Sequence, residues 1–389
     1  MEKSRKPKIR FKGFTDDWEQ RKLVELLTKY TDEVNVPHNG YERLGIRSHA
    51  KGTFHSYVSE GHELQTGKMH KVAADKFIVN ITFGWEHAVA VTDKNDAGKL
   101  VSHRFPQYSL SENLYSKFFK YIILDDKFKH HLWLSSPGGA GRNRVLKLDE
   151  MLEYKIKIPN VQEQQKIAEV LMDLDHLIIL HQRKLDKLVN VKKSMLEKMF
   201  PQQGSRIPEI RFCGFTDDWE QRKAKKLFIS TADKGYPDLP VLSATQDRGM
   251  IRRDQNSINI SHDKNNENGY KRVLPGQFVI HLRSFQGGFA HSRIEGITSP
   301  AYTIFGFSEP KKHDSEYWKY VFTSKEFIRR LETVTYGIRD GRSISYDEFL
   351  TLDFFFPSVE EQEKISQYLD ELTHLITLHQ RLNASYLGI

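Results

Sequence analysis

The chain has 389 residues, with 59 Lys and Arg against 51 Asp and Glu, which gives a formal net charge of +8. Its mean hydropathy is −0.59 and 28% of its residues are charged, and no run approaches the roughly 18 consecutive apolar residues of a membrane-spanning helix. The single cysteine, Cys213, excludes a disulfide framework and a cysteine-rich zinc site, and a reducing cytoplasm fits both facts. The length favours two domains, and the excess of positive charge permits an anionic partner without requiring one.

The first feature along the chain is a segment that occurs twice. It reads IRFKGFTDDWEQRK at Ile9–Lys22 and IRFCGFTDDWEQRK at Ile210–Lys223, and the two copies differ only at Lys12 and Cys213. We call these copies the A segments. Each is followed by a long stretch of variable sequence, which we call the insert.

A second repeated segment follows each insert. It reads IPNVQEQQKIAEVLMDLDHLIILHQRK from Ile158 and FPSVEEQEKISQYLDELTHLITLHQRL from Phe356, and we call these copies the B segments. The order A segment, insert, B segment therefore occurs twice, whereas the two inserts are dissimilar in sequence. This pattern predicts two copies of one structural frame that hold different contents.

The inserts are predicted to mix strands with helices. Asp75–Phe83 and Gly276–Phe285 follow turn-like stretches and carry the β-branched and aromatic residues typical of strands. Ser116–Leu134 and Ser315–Val334 have the apolar spacing of amphipathic helices, and a loop with Gly and Arg follows each of them. The expected fold class is therefore α+β, with mixed α/β inserts.

Basic and amide side chains of the inserts cluster in turns and loops. Arginine can read guanine with two hydrogen bonds, Asn and Gln can read adenine, and glycine lets the backbone approach a phosphate. A solvated loop is the competing explanation for any single arginine. The candidate DNA-binding residues are Arg43, Arg47, His49, Lys51, Arg142, Asn143, Arg144, Gln246, Arg248, Arg252, Arg253, Arg283, Ser284, Gln286, Arg339 and Arg342.

Each B segment is predicted to form a long helix. Asn160 and Ser358 are candidate N-caps, and Glu163 and Glu361 stand three residues later, so both copies have the pattern of a capping box. Apolar residues then recur at alternating spacings of four and three, which is typical of a coiled-coil seam. The seam residues are Ile167, Leu171, Leu174, Ile178, His181, Leu185, Leu188, Ile365, Leu369, Leu372, Ile376 and His379.

We expect the two B helices to pack against each other; packing of each helix on its own domain is the alternative. An antiparallel pair would separate two globular domains by a long two-helix coiled coil with an approximate two-fold axis. His181 and His379 would lie near that axis. For these histidines we favour a role in fixing the register of the helices over a pH switch or a metal site, and we expect no metal.

The sequence lacks the motifs of the common catalytic sites. It contains no Walker A loop, no G-x-S-x-G, no H-E-x-x-H and no Pro-Pro dipeptide, which excludes the Asn/Asp-Pro-Pro-aromatic motif of amino-methyltransferases. The glycines at 138–141 follow a predicted helix rather than a strand, so they do not form a dinucleotide-binding turn. We therefore expect no catalytic residues in this chain.

The doubled A and B segments around unlike inserts resemble the specificity subunit of type I restriction–modification systems, in particular the staphylococcal-like versions. This resemblance covers nearly the whole chain. It implies that each insert is a target recognition domain reading one half of an asymmetric bipartite DNA site, and that the B helices set the gap between the halves. The implied domains are 1–158 for the first recognition domain with its A segment, 159–203 for the central helix, 204–356 for the second recognition domain with its A segment, and 357–389 for the C-terminal helix.

The resemblance also implies the partners. The chain would bind double-stranded DNA, two modification subunits and two restriction subunits, without a membrane and without a cofactor of its own. The modification subunits would use S-adenosylmethionine to methylate adenine N6, and the restriction subunits would use ATP and Mg for translocation and cleavage. The chain itself would be a non-catalytic, cytoplasmic scaffold.

Two alternatives stay open at this point. One is a fused modification–specificity enzyme, against which the missing catalytic motifs argue. The other is a truncated decoy that binds DNA or partner subunits without supporting full activity, because the second B segment departs from the first after Leu382 and has no counterpart of residues 192–200. We expect this shorter helix to weaken the helix pair near the first recognition domain.

Overall fold

A computed structural model describes residues 7, 9–63, 67–138, 144–202, 205–245, 248–255, 264–281, 288–333 and 345–387. The chain forms two compact units, Met1–Leu177 and Ile178–Ile389, so the first B helix belongs partly to each. Each unit combines small, mostly antiparallel sheets with helices. The predicted α+β class is therefore confirmed.

The first unit contains an inner sheet, an outer sheet and a strand pair. Its strands are β1 (Glu19–Lys22), β2 (Leu27–Tyr30), β3 (Glu33–Asn35), β4 (Tyr41–Ile46), β5 (Thr53–Val58), β6 (Lys68–Lys71), β7 (Lys76–Val79), β8 (Val89–Val91), β9 (Leu100–Val101), β10 (Gln107–Leu110) and β11 (Lys155–Ile158). Its helices are α1 (Leu23–Leu26), α2 (Ser116–Ile122), α3 (Asp126–Leu134), α4 (Leu148–Leu152) and the start of α5 (Val161–Lys198). The inner sheet has the order β2-β10-β7-β8 and the outer sheet the order β3-β6-β9-β4-β5.

As far as its described residues show, the second unit repeats the inner sheet but not the outer one. Its strands are β12 (Glu220–Lys223), β13 (Phe228–Thr231), β14 (Leu242–Thr245), β15 (Gly249–Arg252), β16 (Lys271–Val273), β17 (Phe278–Ile280), β18 (Phe289–His291), β19 (Gly296–Thr298), β20 (Thr303–Phe307) and β21 (Asp353–Phe356). Its helices are the end of α5, then α6 (Ala224–Leu227), α7 (Ser315–Thr323), α8 (Lys325–Thr333), α9 (Tyr346–Phe349) and α10 (Val359–Leu387). The inner sheet has the order β13-β20-β17-β18, and the strands outside it form the separate pairs β14-β15 and β16-β19.

Both units bury an aromatic core between the inner sheet and the helices. In the first unit the rings of Phe119 and Phe128 lie 5.4 and 6.3 Å from the ring of Phe77 on β7. In the second unit Phe278 on β17 lies 5.5 Å from Phe305 and 4.9 Å from Phe322. Burial of such large side chains supplies most of the stabilisation of each unit.

The predicted strands are shorter than expected. Asp75 is in the left-handed region with φ 55°, so β7 begins only at Lys76. Asn80 ends it, because its side chain accepts a hydrogen bond from the Thr82 N–H at 3.0 Å and starts a turn. The second predicted strand is ordered as β17 over Phe278–Ile280, and its residues 282–285 lie outside the described residues.

Each long helix predicted in the inserts is instead two short helices. The first breaks at Asp125, whose carboxylate caps α3 by accepting from the Lys127 N–H at 3.0 Å. The second breaks at Ser324, which is extended and whose hydroxyl accepts from the Phe327 N–H at 3.2 Å. Capping side chains thus interrupt an apolar spacing that would otherwise continue through both positions.

The second unit pairs the end of α5 with α10 in antiparallel orientation. Met195 and Leu196 of α5 pack against the core cluster that contains Ile365 and Leu369 of α10, whereas further back along α5 the ring of His181 lies 5.5 Å from that of His379. The predicted antiparallel packing of the B helices is confirmed in this unit. Burial, Lys184 and His181 together lower the pKa of His379.

The predicted seam residues differ in burial along the helices. Ile167 packs against the core of the first unit and Leu171 is half-buried, but Leu174 is 42% exposed. In the second unit the α10 seam is buried more deeply than the α5 seam. Ile178, His181, Leu185, Leu188 and Ile376 are half-buried there, and Ile365, Leu369, Leu372 and His379 are buried.

Candidate nucleic-acid interface

The A and B segments of each unit close around the insert in the same way. β1 pairs with β11 in a register that sets Glu19 opposite Ile158, and β12 pairs with β21 in a register that sets Glu220 opposite Phe356. Both registers match the same positions of the A and B segments. In each unit the insert therefore begins after one strand of this antiparallel pair and ends at the other strand.

A buried ion pair fixes the A segment to the start of the B helix. Arg10 donates to both carboxylate oxygens of Glu163 at 2.7 Å, and Arg211 donates to both oxygens of Glu361 at 2.9 and 2.8 Å. Each glutamate side chain is only 1% exposed. The two-pronged geometry is the strong form of an arginine–carboxylate bond, so it orients the two segments rigidly.

The capping boxes predicted for the B helices are therefore only half correct. Asn160 and Ser358 do accept hydrogen bonds from the backbone N–H groups of Glu163 and Glu361, at 2.9 and 3.4 Å. The glutamate side chains, however, turn to the arginines instead of the N-cap backbone. The paired occurrence of Arg10 with Glu163 and Arg211 with Glu361 in the two repeats was the sequence pattern that could have revealed this.

A buried glutamine in the first turn of each B helix holds the N-terminus of a helix of the insert, which is α2 in the first unit and α7 in the second. Gln164 accepts from the Tyr115 N–H at 2.9 Å and donates to the carbonyl of Pro159 at 2.8 Å. Gln362 repeats this with the Asp314 N–H at 3.0 Å and the carbonyl of Pro357 at 2.9 Å. The frame that carries the inserts is thus the same in both units, down to individual hydrogen bonds.

The predicted site residues of the first insert lie on and beside the β4–β5 hairpin of the outer sheet. Arg43 is exposed on β4 opposite Ser56. The guanidinium of Arg47 lies 5.3 Å from the ring centre of Phe54, and that ring packs directly over Gly45, where a Cβ would come within 2.3 Å of it. Phe54 remains 40% exposed, so the hairpin presents two arginines around an accessible aromatic ring.

The turn of this hairpin is held by its backbone. His49 and Ala50 adopt left-handed conformations with φ 62° and 50°, and their N–H groups donate to the carbonyls of Glu86 and His87, both at 2.8 Å. His49 and Lys51 are exposed on this fixed turn. Backbone anchoring leaves their side chains available to a ligand.

Arg144 lies at a different place in the first unit. Its guanidinium is 4.8 Å from the ring centre of Trp133, which is 45% exposed and stacks on His130 at 6.1 Å. Cation–π contact of this kind orients an arginine while leaving its N–H groups free to donate. The neighbouring candidates Arg142 and Asn143 lie outside the described residues.

In the second insert the β14–β15 hairpin carries the predicted residues that the structure describes. Arg248 is exposed at the tip of the hairpin, where the backbone N–H of Arg248 donates to Thr245 Oγ1 at 3.1 Å. Arg252 is exposed at the other end of β15 and the half-buried Arg253 follows it, so these two lie together and apart from Arg248. The remaining candidates lie outside the described residues: Gln246, Arg283, Ser284, Gln286, Arg339 and Arg342.

A cleft of about 760 Å³ lies between this hairpin and the helix pair of the second unit. Arg248 lines it from the hairpin. The sequence did not single out the other cations that line it. On α5, α7 and α10 three of them look like ordinary solvated helix charges, namely Lys192, Lys319 and Arg381, and Arg293 follows β18.

The environment of the cleft shifts several pKa values. Burial opposes ionisation of Glu316, but hydrogen bonds from Arg293 and Lys319 hold its pKa at about 2. Burial and the nearby Lys319 lower the pKa of Lys192. Burial lowers the pKa of His291 to about 4, so this histidine is neutral at neutral pH.

Two kinds of feature are absent from the described part of the chain. Within it, no three His, Cys, Asp or Glu side chains come together in a way that could hold a metal ion. Along the same residues, no helix combines the length and the apolar character needed to cross a bilayer.

Part of the chain is similar to known proteins. The family model described as "Type I restriction modification DNA specificity domain" matches residues 15–190. The type I restriction enzyme MjaVIII specificity subunit of Methanocaldococcus jannaschii is 25% identical over 286 residues, which are 67% of this chain and 65% of that protein. The chain thus matches slightly less than two thirds of the length of that relative.

One solved structure agrees in fold. The S subunit of a type I restriction–modification system from M. genitalium has a TM-score of 0.53 at 12% identity and covers 98% of this chain and 96% of its own. The HsdS subunit from Thermoanaerobacter tengcongensis has a TM-score of 0.48 at 15% identity and covers 95% of this chain and 92% of its own. Residues 15–190 thus match the DNA specificity domain of type I restriction–modification systems, and the chain shares the fold of the S subunit from M. genitalium.

Proposed function

We propose that this chain reads an asymmetric, bipartite site in double-stranded DNA, one half with each insert. The observation that carries this proposal is the contrast between the frame and its outer strands. The inner sheets have the same strand order in both units, whereas a five-stranded outer sheet in the first unit is replaced by two separate strand pairs in the second. Two different surfaces on the same frame suit the recognition of two different DNA half-sites.

Four of the predicted reading residues lie on or beside those differing strands. Arg43 and Arg47 belong to the β4–β5 hairpin, and Arg248 and Arg252 to the β14–β15 hairpin. A two-stranded ribbon fits the major groove of B-DNA, where arginine can bind guanine through two hydrogen bonds. The helices formed by the B segments would hold the two surfaces at a set separation, which makes binding of the second half-site intramolecular.

We further propose that the chemistry belongs to partner subunits. In this proposal the chain is a non-catalytic cytoplasmic scaffold that binds two modification and two restriction subunits and no cofactor of its own. The modification subunits would bring S-adenosylmethionine for adenine N6 methylation, and the restriction subunits would bring ATP and Mg. The absence of catalytic motifs from the sequence supports this division of labour.

The test is to mix the purified chain with the modification subunit of its own system and map adenine methylation on random-sequence DNA. We expect methylation only when both proteins are present, at one asymmetric sequence split by a fixed gap. Methylation by the chain alone would make it an enzyme, and DNA binding without methylation in the mixture would make it a decoy. Either result, or a continuous target, would contradict the proposal.

A further inference from the structure

The cleft of the second unit has a composition that suits an anion. Five cationic side chains line it, Lys192, Arg248, Arg293, Lys319 and Arg381, against one carboxylate, that of Asp370. We propose that this cleft binds a phosphate of the DNA backbone, held jointly by the helix pair and by the β14–β15 hairpin. This inference rests on the proposed function and assigns it a contact site.

Two of the cations are already neutralised. Arg293 donates to Glu316 at 2.5 and 2.8 Å and to Asp370 at 2.7 Å. Lys319 donates to the same two carboxylates at 2.8 and 2.7 Å. Tyr320 also donates to Asp370. This network connects α7, α10 and the segment after β18, and its charges are balanced without a ligand.

The other three cations lack such partners. Among the described residues, no carboxylate lies within ion-pair distance of Lys192, Arg248 or Arg381. Lys192 is half-buried and its ammonium lies 5.9 Å from the ring centre of Tyr320. Asp370 attracts this ammonium only from beyond ion-pair distance, whereas burial and Lys319 disfavour its charge. An anion that enters the cleft therefore gains a direct interaction with a partly desolvated cation.

The origin of the three cations identifies the anion as DNA. Arg248 stands at the tip of the hairpin whose other end carries Arg252 and Arg253, which are candidate reading residues. Lys192 and Arg381 come from α5 and α10, the helices that contain the B segments, and Lys192 lies beyond the repeated part of α5. Phosphate contacts from lysine and arginine fix the register of a protein on the duplex without reading its sequence. A phosphate in this cleft would therefore set the hairpin relative to the helices when DNA binds.

The threonine hydroxyls of the lining are already engaged. Thr245 Oγ1 donates to the carbonyl of Gly249 at 2.8 Å, and Thr377 Oγ1 donates to the carbonyl of Thr373 at 2.9 Å. Since a hydroxyl has a single hydrogen to donate, the cleft offers a phosphate its cationic side chains rather than neutral donors.

The test compares Lys192→Gln and Arg381→Gln with Lys193→Gln in the full-length chain. Lys193 is the neighbouring lysine on α5, is exposed, and does not line the cleft. The affinity for a short random-sequence duplex is measured by fluorescence anisotropy over a range of salt concentrations. We expect the slope of log K against log salt to become shallower by about 0.9 for each of the two cleft variants, and to stay unchanged for Lys193→Gln.

Folding is checked by thermal unfolding. Because Lys192 carries a desolvated charge with a lowered pKa, its replacement by the neutral glutamine should leave Tm unchanged or raise it. Salt slopes of Lys192→Gln and Arg381→Gln that equal that of the unsubstituted chain would overturn the inference. A chain that binds no duplex at all, alone or with the modification subunit, would instead overturn the proposed function, so the two failures can be told apart.

A second measurement separates DNA phosphate from free phosphate. Inorganic phosphate is titrated into the unsubstituted chain and into Lys192→Gln by calorimetry at matched ionic strength. Competition between inorganic phosphate and the duplex, lost in Lys192→Gln, supports one shared site. Binding of inorganic phosphate that depends on Lys192, together with unchanged duplex slopes, would make the cleft a free-anion site and contradict its assignment to DNA.

Discussion

Breaking the Arg211–Glu361 ion pair should destabilise the second unit strongly. In Arg211→Ala the carboxylate of Glu361, which is 1% exposed, loses both of its guanidinium bonds and stays buried without a counter-ion. Removing one partner of a buried pair costs about 3–5 kcal/mol. Arg211 itself keeps 14% of its side chain exposed, so water can reach the vacated position, and we expect a loss near the lower end, about 3 kcal/mol.

Thermal and urea unfolding of the full-length chain measure this loss. For a unit of about 200 residues, 1 kcal/mol lowers Tm by about 2–4 °C, so the transition of the second unit should fall by about 6–12 °C. Arg222→Ala is the matched control, because Arg222 lies in the same A segment but pairs with Glu220 and Glu309, which are 52% and 44% exposed. An exposed pair contributes at most about 1 kcal/mol.

A double variant separates the ion pair from the fold around it. Arg211→Met with Glu361→Leu removes both charges together, and such apolar replacements of a buried pair are often neutral or stabilising. We expect it to recover most of the Tm lost in Arg211→Ala. The reasoning is refuted if Arg211→Ala is no more destabilising than Arg222→Ala, or if the double variant is as unstable as the single one.

Three further predictions concern pH, DNA contacts and modularity. Burial lowers the pKa of His291 and of His313 to about 4, below the ordinary 6.5, so the unfolded chain binds more protons between these values. The contribution of these histidines to the free energy of unfolding of the second unit should therefore be fully present above about pH 6.5. It should decline towards pH 4, by at most about 3 kcal/mol for each histidine. Urea unfolding of His291→Gln should show a flatter decline, and an unchanged one would contradict this. Arg144→Ala and Arg342→Ala should each weaken DNA binding by about 1–3 kcal/mol if a base is read, or reduce the salt slope if only a phosphate is contacted; titration of duplex at two salt concentrations distinguishes these results, and unaltered binding speaks against both contacts. Exchange of residues 229–350 for another insert should change one half of the methylated sequence and leave the other half and the gap unchanged, and altered reading of both halves would disprove modular recognition.

The duplicated frame could be predicted because the sequence contains two copies of it, which can be compared with each other. Two copies of the A and B segments revealed which positions matter to the frame, and the packing of the B helices against each other followed from the seam spacing. The same comparison should have led from Glu163 and Glu361 to the arginines of the A segments. It did not, because the spacing of a capping box is local and gives no information about a partner more than a hundred residues away.

The remaining errors have local physical causes. Ser116–Leu134 has helical apolar spacing throughout, but Asp125 gains more as an N-cap than as an interior helix residue, and the helix divides there. The outer strands are short, and their pairing depends on contacts distant in sequence. The cations Lys192 and Arg381 could not be assigned to a cleft, because nothing in the helix pattern reveals which loop of the insert packs beside it.

Both hairpins that carry candidate reading residues make close main-chain contacts with the rest of their unit. Gly249 has φ 68°, and a Cβ there would come within 2.3 Å of the carbonyl oxygen of His291; the β4–β5 turn is held by the N–H groups of His49 and Ala50. Substitutions among the outward-pointing side chains of either ribbon therefore leave these contacts intact. The outer surface of each ribbon can thus vary at little cost in folding, provided that the glycine and the turn are retained.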